Sequence, residues 1–162
     1  MFIVVIISSS IFTKEARVLF VSHVPSTCGL ESMFSICRFK EVTGHYPERI
    51  TIVSFSFKER RFTTLHAAAL AWPTEKLRYI GIDPPASTGF DLKRATQGEW
   101  KNAAAPFEND PYGWHSDVLQ QKRKERNPFS RTAPYPLSCP DMQKLLRHCG
   151  PELFPKSRVP WA

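Results

Sequence analysis

The amino-acid sequence predicts an α/β protein: a partial Rossmann-like, three-layer parallel sheet in the order β-α-β-α-β, followed by a proline-rich, loop-rich C-terminal extension. Two observations lead to this prediction. Between residues 17 and 83, short runs of β-branched and aromatic residues alternate with stretches of helical periodicity. Eleven of the 14 prolines fall in residues 84–162, and proline fits neither helix interiors nor central strands. The second half should therefore be rich in loops.

The first half of the predicted core is a strand, a helix and a second strand. Residues 17–22 (RVLFVS) form a short apolar run that is typical of a buried strand. Apolar residues at helical spacing predict a helix over 30–43, which should end at Gly44. Residues 50–57 (ITIVSFSF) are the strongest strand signal in the chain, because Ile, Val and Phe dominate the run.

The second half of the predicted core is a helix over 58–72 and a strand over 77–82. Apolar side chains recur from Phe62 onward at the spacing of one helix face, and Pro73 should end the helix. A strand, a helix and a strand within this length form a βαβ unit, whose parallel strands are joined by a right-handed crossover.

The extension, residues 86–162, is predicted to be irregular and docked on the core. No clear element is expected over 87–112, whereas short helices are expected over 116–125 and from Pro140 onward. Aromatic residues recur throughout the extension, and disordered tails are poor in aromatics. We therefore expect it to pack on the core.

The N-terminal segment, residues 1–32, is predicted to be divergent with strand-like runs, and it overlaps the α/β core assigned to 17–85. Its apolar run 2–7 is far shorter than the roughly 20 residues needed to cross a bilayer. The run favours a short buried strand or an unstructured start. We expect a cytoplasmic protein; the alternative is membrane association through this apolar segment.

The formal net charge of +7 is spread over the chain, with an excess of +3 in residues 1–83 and +4 in 84–162. The exception is the basic run 122–126 (KRKER). Such a run is more often a solvated helix face than a nucleic-acid site, and no aromatic residues are interleaved with it for base stacking. Nucleic acid is therefore not expected as a partner, while an anionic membrane surface is kept as an alternative.

The four cysteines do not form a metal-binding pattern. There is no C-x-x-C pair, and cysteine and histidine do not repeat at the spacing of zinc ligands. Cys37 lies within an apolar helical pattern, where a free cysteine behaves as a small hydrophobic residue. We expect reduced thiols and no metal site.

The candidate binding site lies at the carboxyl end of strand 50–57. In open parallel sheets, ligands bind outside the carboxyl ends of the strands, where helix N-termini offer free N–H groups. Ser54, Ser56, Lys58, Arg60 and Arg61 converge there in the sequence. Hydroxyls, amides and cations suit an anionic group such as a phosphate. The alternative is that the cations point to solvent and pair with Glu59.

Two further positions and one cluster are candidates for a functional role. Asp83 either binds a ligand hydroxyl or caps the turn before Pro84, and His66 on the apolar helix face is either a core residue or a base. A second polar and aromatic cluster lacks the arrangement of a nucleophile and a base; it comprises Tyr112, Trp114, His115 and Asp117. No G-x-S-x-G, Walker or G-x-G-x-x-G motif occurs. The sequence thus assigns no reaction and no cofactor.

Several stretches resemble the fungal branch of the domain of unknown function 218 family (SanA/YdcF/ElyC-like). The resemblance covers about residues 33–162 and rests on these stretches: 34–41 (FSICRFKE), 46–48 (YPE), 50–61, 65–67 (LHA), 81–85 (GIDPP), 110–113 (DPYG), 122–123 (KR), 127–129 (NPF), 139–140 (CP) and 160–161 (PW). It implies a Rossmann-like domain with a pocket at the strand ends, and bacterial relatives linked to the cell envelope. It implies no established reaction.

The chain departs from this family in its first 32 residues, which do not match it. The early glycine-rich loop of the family is not found, and the resemblance therefore predicts that the front half of the usual domain is missing or replaced. Lys58 stands where many members have histidine, whereas Arg61 matches the family arginine. The resulting hypotheses are a site for an anionic or nucleotide-like small molecule, a noncatalytic interaction module, or a truncated remnant without independent activity.

Overall fold

The computed structural model describes residues 4–9, 16–21, 31–130 and 132–162. It is a mixed α/β structure. Helical segments are the larger part of it, and one sheet of four strands lies at its centre. The α/β class predicted from the sequence is therefore confirmed.

The strands are β1 (Val4–Ser9), β2 (Ala16–Val21), β3 (Arg49–Ser54) and β4 (Leu77–Gly81), and they are arranged in the order β2-β1-β3-β4. β3 and β4 are parallel, as expected for the predicted βαβ unit. β1 is antiparallel to both of its neighbours, so the sheet is mixed. The wholly parallel sheet predicted from the sequence is confirmed only for the β3–β4 pair.

Two helices connect these strands. Helix α1 (Glu31–Thr43) ends at Gly44, which has a φ of +80° and donates its N–H to the Lys40 carbonyl at 2.8 Å. A continuous helical stretch follows β3, and we name it α2 (56–69). It consists of a 3₁₀ turn (Ser56–Lys58), a π-helical segment (Arg61–His66) and an α-helical turn (Ala67–Ala69). The predicted helix 58–72 is thus present, although it begins and ends earlier.

The prediction that residues 87–112 lack a clear element is wrong. A helical stretch that we name α3 (92–109) runs through Leu92–Glu99, a π-helical segment (Trp100–Ala104) and Ala105–Asn109. Its only large fully buried side chain is Phe107, and Gly98 and Pro106 lie within it, which are signals that weaken a helix prediction. The Asp91 side chain caps it by accepting the Arg94 N–H at 2.9 Å.

The rest of the extension consists of short helices: α4 (Asp117–Arg126), α5 (Tyr135–Ser138) and α6 (Gln143–Leu146). Four 3₁₀ turns complete the described elements: Thr74–Lys76, Ala86–Thr88, Pro140–Met142 and Lys156–Arg158. None of the helices in the described part of the chain is long and apolar enough to cross a membrane.

Side chains of the extension reach the C-terminal end of α2. The Tyr112 hydroxyl donates to the Ala69 carbonyl at 2.9 Å and accepts the Phe154 N–H at 2.8 Å. The Trp161 indole donates to the Ala71 carbonyl at 3.3 Å, and its ring lies 5.0 Å from that of Trp72. These contacts join residues of the extension to the main apolar core. The division of the chain into separate domains stays a prediction.

Ala71 ends α2 in a conformation that favours glycine. Its φ is +51°, its N–H bonds the Ala68 carbonyl, and the Trp72 N–H bonds the Ala67 carbonyl, both at 2.9 Å. This is the Schellman arrangement, in which the left-handed position is usually glycine. We expect Ala71→Gly to raise the free energy of unfolding by about 0.5–1 kcal/mol, because the Cβ strain disappears.

Urea unfolding followed by circular dichroism measures this change. Ala68→Gly is the matched control: Ala68 is exposed and helical, so its replacement should lower stability by about 1 kcal/mol. Equal losses for both variants would contradict the assignment of strain to Ala71.

Candidate functional site

Ser56 and Asp83 lie together at the carboxyl ends of β3 and β4. The Asp83 carboxylate accepts the Ser56 N–H at 3.0 Å and also the Ser56 hydroxyl. Gly81 makes this approach feasible, because a Cβ there would lie 2.9 Å from the Ser56 Cα. Asp83 therefore holds the first turn of α2 against β4, and the observed partner of its carboxylate is Ser56.

Ser54 ends β3 on the same buried face as Ile50 and Ile52. Its hydroxyl is buried and has no partner of hydrogen-bonding geometry among the described residues, although it lies close enough to the Tyr79 hydroxyl to lower the pKa of that phenol. Burial is the larger influence on Tyr79 and raises its pKa to about 12. The Tyr79 hydroxyl donates to the Phe55 carbonyl. The neutral phenol and the Ser54 hydroxyl thus form a buried polar spot at the strand end.

Arg61 is buried inside the molecule rather than extended into solvent. Its Nε donates to Glu99 at 2.5 Å, and both side chains are about nine-tenths buried. Its guanidinium carbon lies 4.7 Å from the centroid of the Phe62 ring. Glu99, on α3, is the partner that sequence reasoning missed, because it lies in the stretch where no element was expected.

His66 lies next to Arg61 in the core. Its Nε2 is 3.5 Å from an Arg61 nitrogen, and the Phe107 ring contacts it edge-on with 4.7 Å between centroids. Burial, together with the charge of Arg61, holds the His66 pKa well below its ordinary value. A neutral imidazole that accepts from Arg61 at Nε2 carries its proton on Nδ1. Among the described residues, that Nδ1 has no hydrogen-bond partner.

A cavity of about 10 Å³ lies between α2 and the sheet. His66 and Trp72 line it, and the Trp72 indole nitrogen, like the His66 Nδ1, has no partner among the described residues. The remaining walls are mainly apolar. The volume is about that of one water molecule, so this cavity is far too small for a nucleotide.

The burial of His66 gives stability a definite pH dependence. Folded His66 stays neutral, whereas the unfolded histidine takes up a proton below about pH 6.5. The unfolded state then binds more protons, so the free energy of unfolding should fall by up to about 1.4 kcal/mol per pH unit below that pH. Urea unfolding of wild type and His66→Gln between about pH 7 and 5 measures this.

The slope should be smaller in His66→Gln, since glutamine does not titrate. Thr64→Gln is the matched control: Thr64 is exposed on the same helix and does not titrate, so its replacement should leave the slope unchanged. Parallel curves for wild type and His66→Gln would contradict a neutral His66.

Lys58 is 2% exposed, in the first turn of α2. Its ammonium lies 5.2 Å from the Phe55 ring centroid and 5.6 Å from that of Phe57. Phe90 stacks on both rings, and all three are half-buried. Arg60, by contrast, is on the surface, where it pairs with Glu108. Of the predicted site cations, Lys58 and Arg61 are thus buried and Arg60 is not.

The second cluster predicted from the sequence, around residues 110–117, fixes the connection between α3 and α4. The buried Asp110 accepts the N–H groups of Trp114, His115 and Ser116, at 3.1, 2.8 and 2.8 Å. Arg123, from the basic run 122–126, lies 4.0 Å from the Trp114 ring centroid. It also donates to the Gly113 carbonyl at 2.6 Å. Arg123, within the basic run, therefore contacts the chain at residues 113 and 114.

Within the described ranges, no group of three or more His, Cys, Asp or Glu side chains could hold a metal ion. What the geometry offers at the strand ends is a set of hydroxyls, one carboxylate and two buried cations. Such a set can bind and orient a small polar molecule.

The fold and this site define a mixed α/β protein with a polar strand-end cluster. Over 109 residues, the chain is 41% identical to the uncharacterized protein YOR238W of Saccharomyces cerevisiae. The matched region is 64% of this chain and 36% of that protein, so the chain spans about a third of the length of the curated relative it matches. No family model matches the chain, and no solved structure matches it. The similarity to a fungal protein agrees with the fungal part of the resemblance noted above.

Proposed function

We propose that this protein binds a small anionic molecule, of the nucleotide or phosphorylated-metabolite class, at the carboxyl ends of β3 and β4. The observation that carries the proposal is the buried Ser54 hydroxyl, which has no partner of hydrogen-bonding geometry among the described residues. Buried polar groups are nearly always satisfied, and this hydroxyl lies beside the neutral Tyr79 phenol; a ligand at the strand ends would supply the partner of hydrogen-bonding geometry that it lacks.

The cations nearby support an anion rather than a neutral ligand. Lys58 and Arg61 lie in the first turns of α2, 2% and 8% exposed. Positive side chains are unfavourable near a helix N-terminus; the Glu99 carboxylate already offsets the charge of Arg61, and an anion at the first turn would interact favourably with the helix dipole. Asp83 and Glu99 act as positioning residues that hold Ser56 and Arg61 in place.

We further propose that this domain is Rossmann-like and of the domain of unknown function 218 type. We also propose that the protein works in the cytoplasm. The parallel β3–β4 pair with α2 between its strands supports the first of these proposals, since this is the βαβ unit of such folds. Ser54, Ser56, Lys58, Arg61 and Asp83 are the proposed ligand-binding residues. We assign them no catalytic step and no cofactor.

Thermal-shift and equilibrium-binding measurements against nucleotides, sugar phosphates and inorganic phosphate test the proposal. At least one ligand should raise the melting temperature of the wild type. Ser54→Ala should weaken its binding about tenfold, the value of one hydrogen bond to a charged group. Ser87→Ala, at an exposed position, is the matched control and should bind like wild type.

Two results would overturn the proposal. One is a folded sample whose melting temperature no anion changes. The other is binding that survives intact in both Ser54→Ala and Lys58→Met, because these two variants remove the orphan hydroxyl and the buried ammonium.

A second candidate function is a noncatalytic interaction module that contacts an anionic membrane surface. The observation in its favour is the exposure of two large apolar side chains of the extension, Phe129 (78%), which follows the basic end of α4, and Leu137 (82%) in α5. Sedimentation with phosphatidylserine vesicles should then show salt-sensitive binding that is lost in Phe129→Ser with Leu137→Ser. Absence of sedimentation would exclude it, and failure of the purified chain to melt cooperatively would instead favour a truncated remnant.

A further inference from the structure

Three polar side chains line the cavity between α2 and the sheet: Ser32 of α1, His66 of α2, and Trp72, which follows α2. Each of these residues is at most 4% exposed, and the remaining walls are apolar. The cavity has a volume of about 10 Å³. One water molecule needs about 10–15 Å³ and two to four polar partners. The cavity therefore suits one water molecule in both its volume and its polar groups.

Two of these side chains carry a proton without an acceptor. The Trp72 Nε1 and the His66 Nδ1 are buried and have no hydrogen-bond partner within the described ranges. An indole nitrogen only donates, and so does a guanidinium. The His66 Nε2, which lies 3.5 Å from an Arg61 nitrogen, is therefore an acceptor, and the imidazole proton lies on Nδ1. Two N–H groups of one cavity wall thus lack an acceptor, which is unfavourable for buried donors.

We propose that this cavity is a binding site for a single structural water molecule, which accepts the N–H groups of His66 and Trp72 with its two lone pairs. The same water donates one proton to the Ser32 hydroxyl. It then makes three hydrogen bonds, the usual number for a buried water. The water connects α1, α2 and the segment that follows α2. This inference does not depend on the proposed anion site.

The chemistry of the wall selects water over other small occupants. A metal ion does not fit, because both wall nitrogens present protons rather than lone pairs. Water has the required size, offers two lone pairs to the two N–H groups, and still has a proton for a hydroxyl.

The bound water also fixes the tautomer of His66. The hydrogen bond at one ring nitrogen of a histidine sets which nitrogen carries the proton. With its proton held on Nδ1 by the water, the ring presents Nε2 as an acceptor to Arg61. The water therefore acts as a positioning group for His66 and, through His66, for the Arg61 side chain.

Nuclear magnetic resonance of the ¹⁵N-labelled full chain tests the proposal through the indole N–H signals and their cross-relaxation with water. We expect the Trp72 N–H to contact a long-lived water that tumbles with the protein. Trp161 is the matched control and should show no such contact, because its buried indole donates directly to the Ala71 carbonyl at 3.3 Å. Long-range ¹H–¹⁵N spectra should place the His66 proton on Nδ1.

A crystal structure gives an independent measurement. Ordered density for one water should lie within about 3.2 Å of both the His66 Nδ1 and the Trp72 Nε1. The proposal would be overturned by a Trp72 N–H without a long-lived water contact, or by a His66 proton on Nε2. A crystal structure in which either nitrogen bonds a protein group directly would overturn it as well.

Discussion

Replacement of Arg61 by methionine should lower the free energy of unfolding by about 3–5 kcal/mol, the largest effect we expect from a single substitution. The Arg61 and Glu99 side chains are 9% and 13% exposed, and their ion pair joins α2 to α3. Methionine fills a similar volume but leaves the Glu99 carboxylate buried without its cation. The loss is measured by urea unfolding followed by circular dichroism.

The double variant Arg61→Met with Glu99→Leu should recover most of this loss, because neither charge then remains buried. Arg60→Met is the matched control: Arg60 is 52% exposed and pairs with Glu108 at the surface, so its replacement should cost less than about 1 kcal/mol. Equal costs for Arg61→Met and Arg60→Met would show that the Arg61 pair is as solvated as the surface pair.

Asp110→Asn should lower the free energy of unfolding by about 2–3 kcal/mol. The carboxylate accepts three backbone N–H groups ahead of α4, whereas an asparagine side chain presents an NH₂ group to part of this set and leaves donors unpaired. Asp117→Asn is the matched control, since Asp117 is exposed in the first turn of the same helix. Its replacement should cost at most about 1 kcal/mol, the value of a charge at a helix end.

The pH dependence of this variant gives an independent check. Burial by itself raises the pKa of Asp110, but the N–H groups of Ser116, His115 and Trp114 outweigh it and hold the pKa below its ordinary value of 3.8. A depressed pKa stabilises the fold above about pH 4 and loses that contribution as the pH falls through the folded value. Asp110→Asn should remove this part of the acid-induced loss. Identical acid unfolding curves for wild type and variant would contradict the assignment.

Several elements follow directly from local patterns in the sequence. The helix predicted over 30–43 appears as Glu31–Thr43 and ends at Gly44, because glycine adopts a positive φ without strain. The strands predicted over 50–57 and 77–82 appear as β3 and β4, since runs of Ile, Val and aromatic residues favour a buried strand. Helix α2 appears because its apolar positions recur at helical spacing.

Other elements could not be read from local patterns. Helix α3 lies in a stretch of small and polar residues punctuated by Gly98 and Pro106, and it is built with a π-helical segment between its two α-helical parts. The Phe107 ring of α3 packs against His66, a residue distant in the chain, and this contact could not be read from the segment itself. The antiparallel direction of β1 was also outside the reach of the sequence, because an apolar run does not specify the direction of its neighbour.

The candidate site, like the fold, was predictable from the sequence only in part. The sequence by itself determined that Ser54, Ser56, Lys58 and Arg61 lie at or just beyond the end of one buried strand, because strand and helix signals are local. Only the tertiary structure decided their partners: Asp83 for Ser56, Glu99 for Arg61 and two phenylalanine rings for Lys58. Pairing between residues distant in the chain depends on the register of β4 and on how α3 packs across α2. Neither is encoded in the period of a single segment.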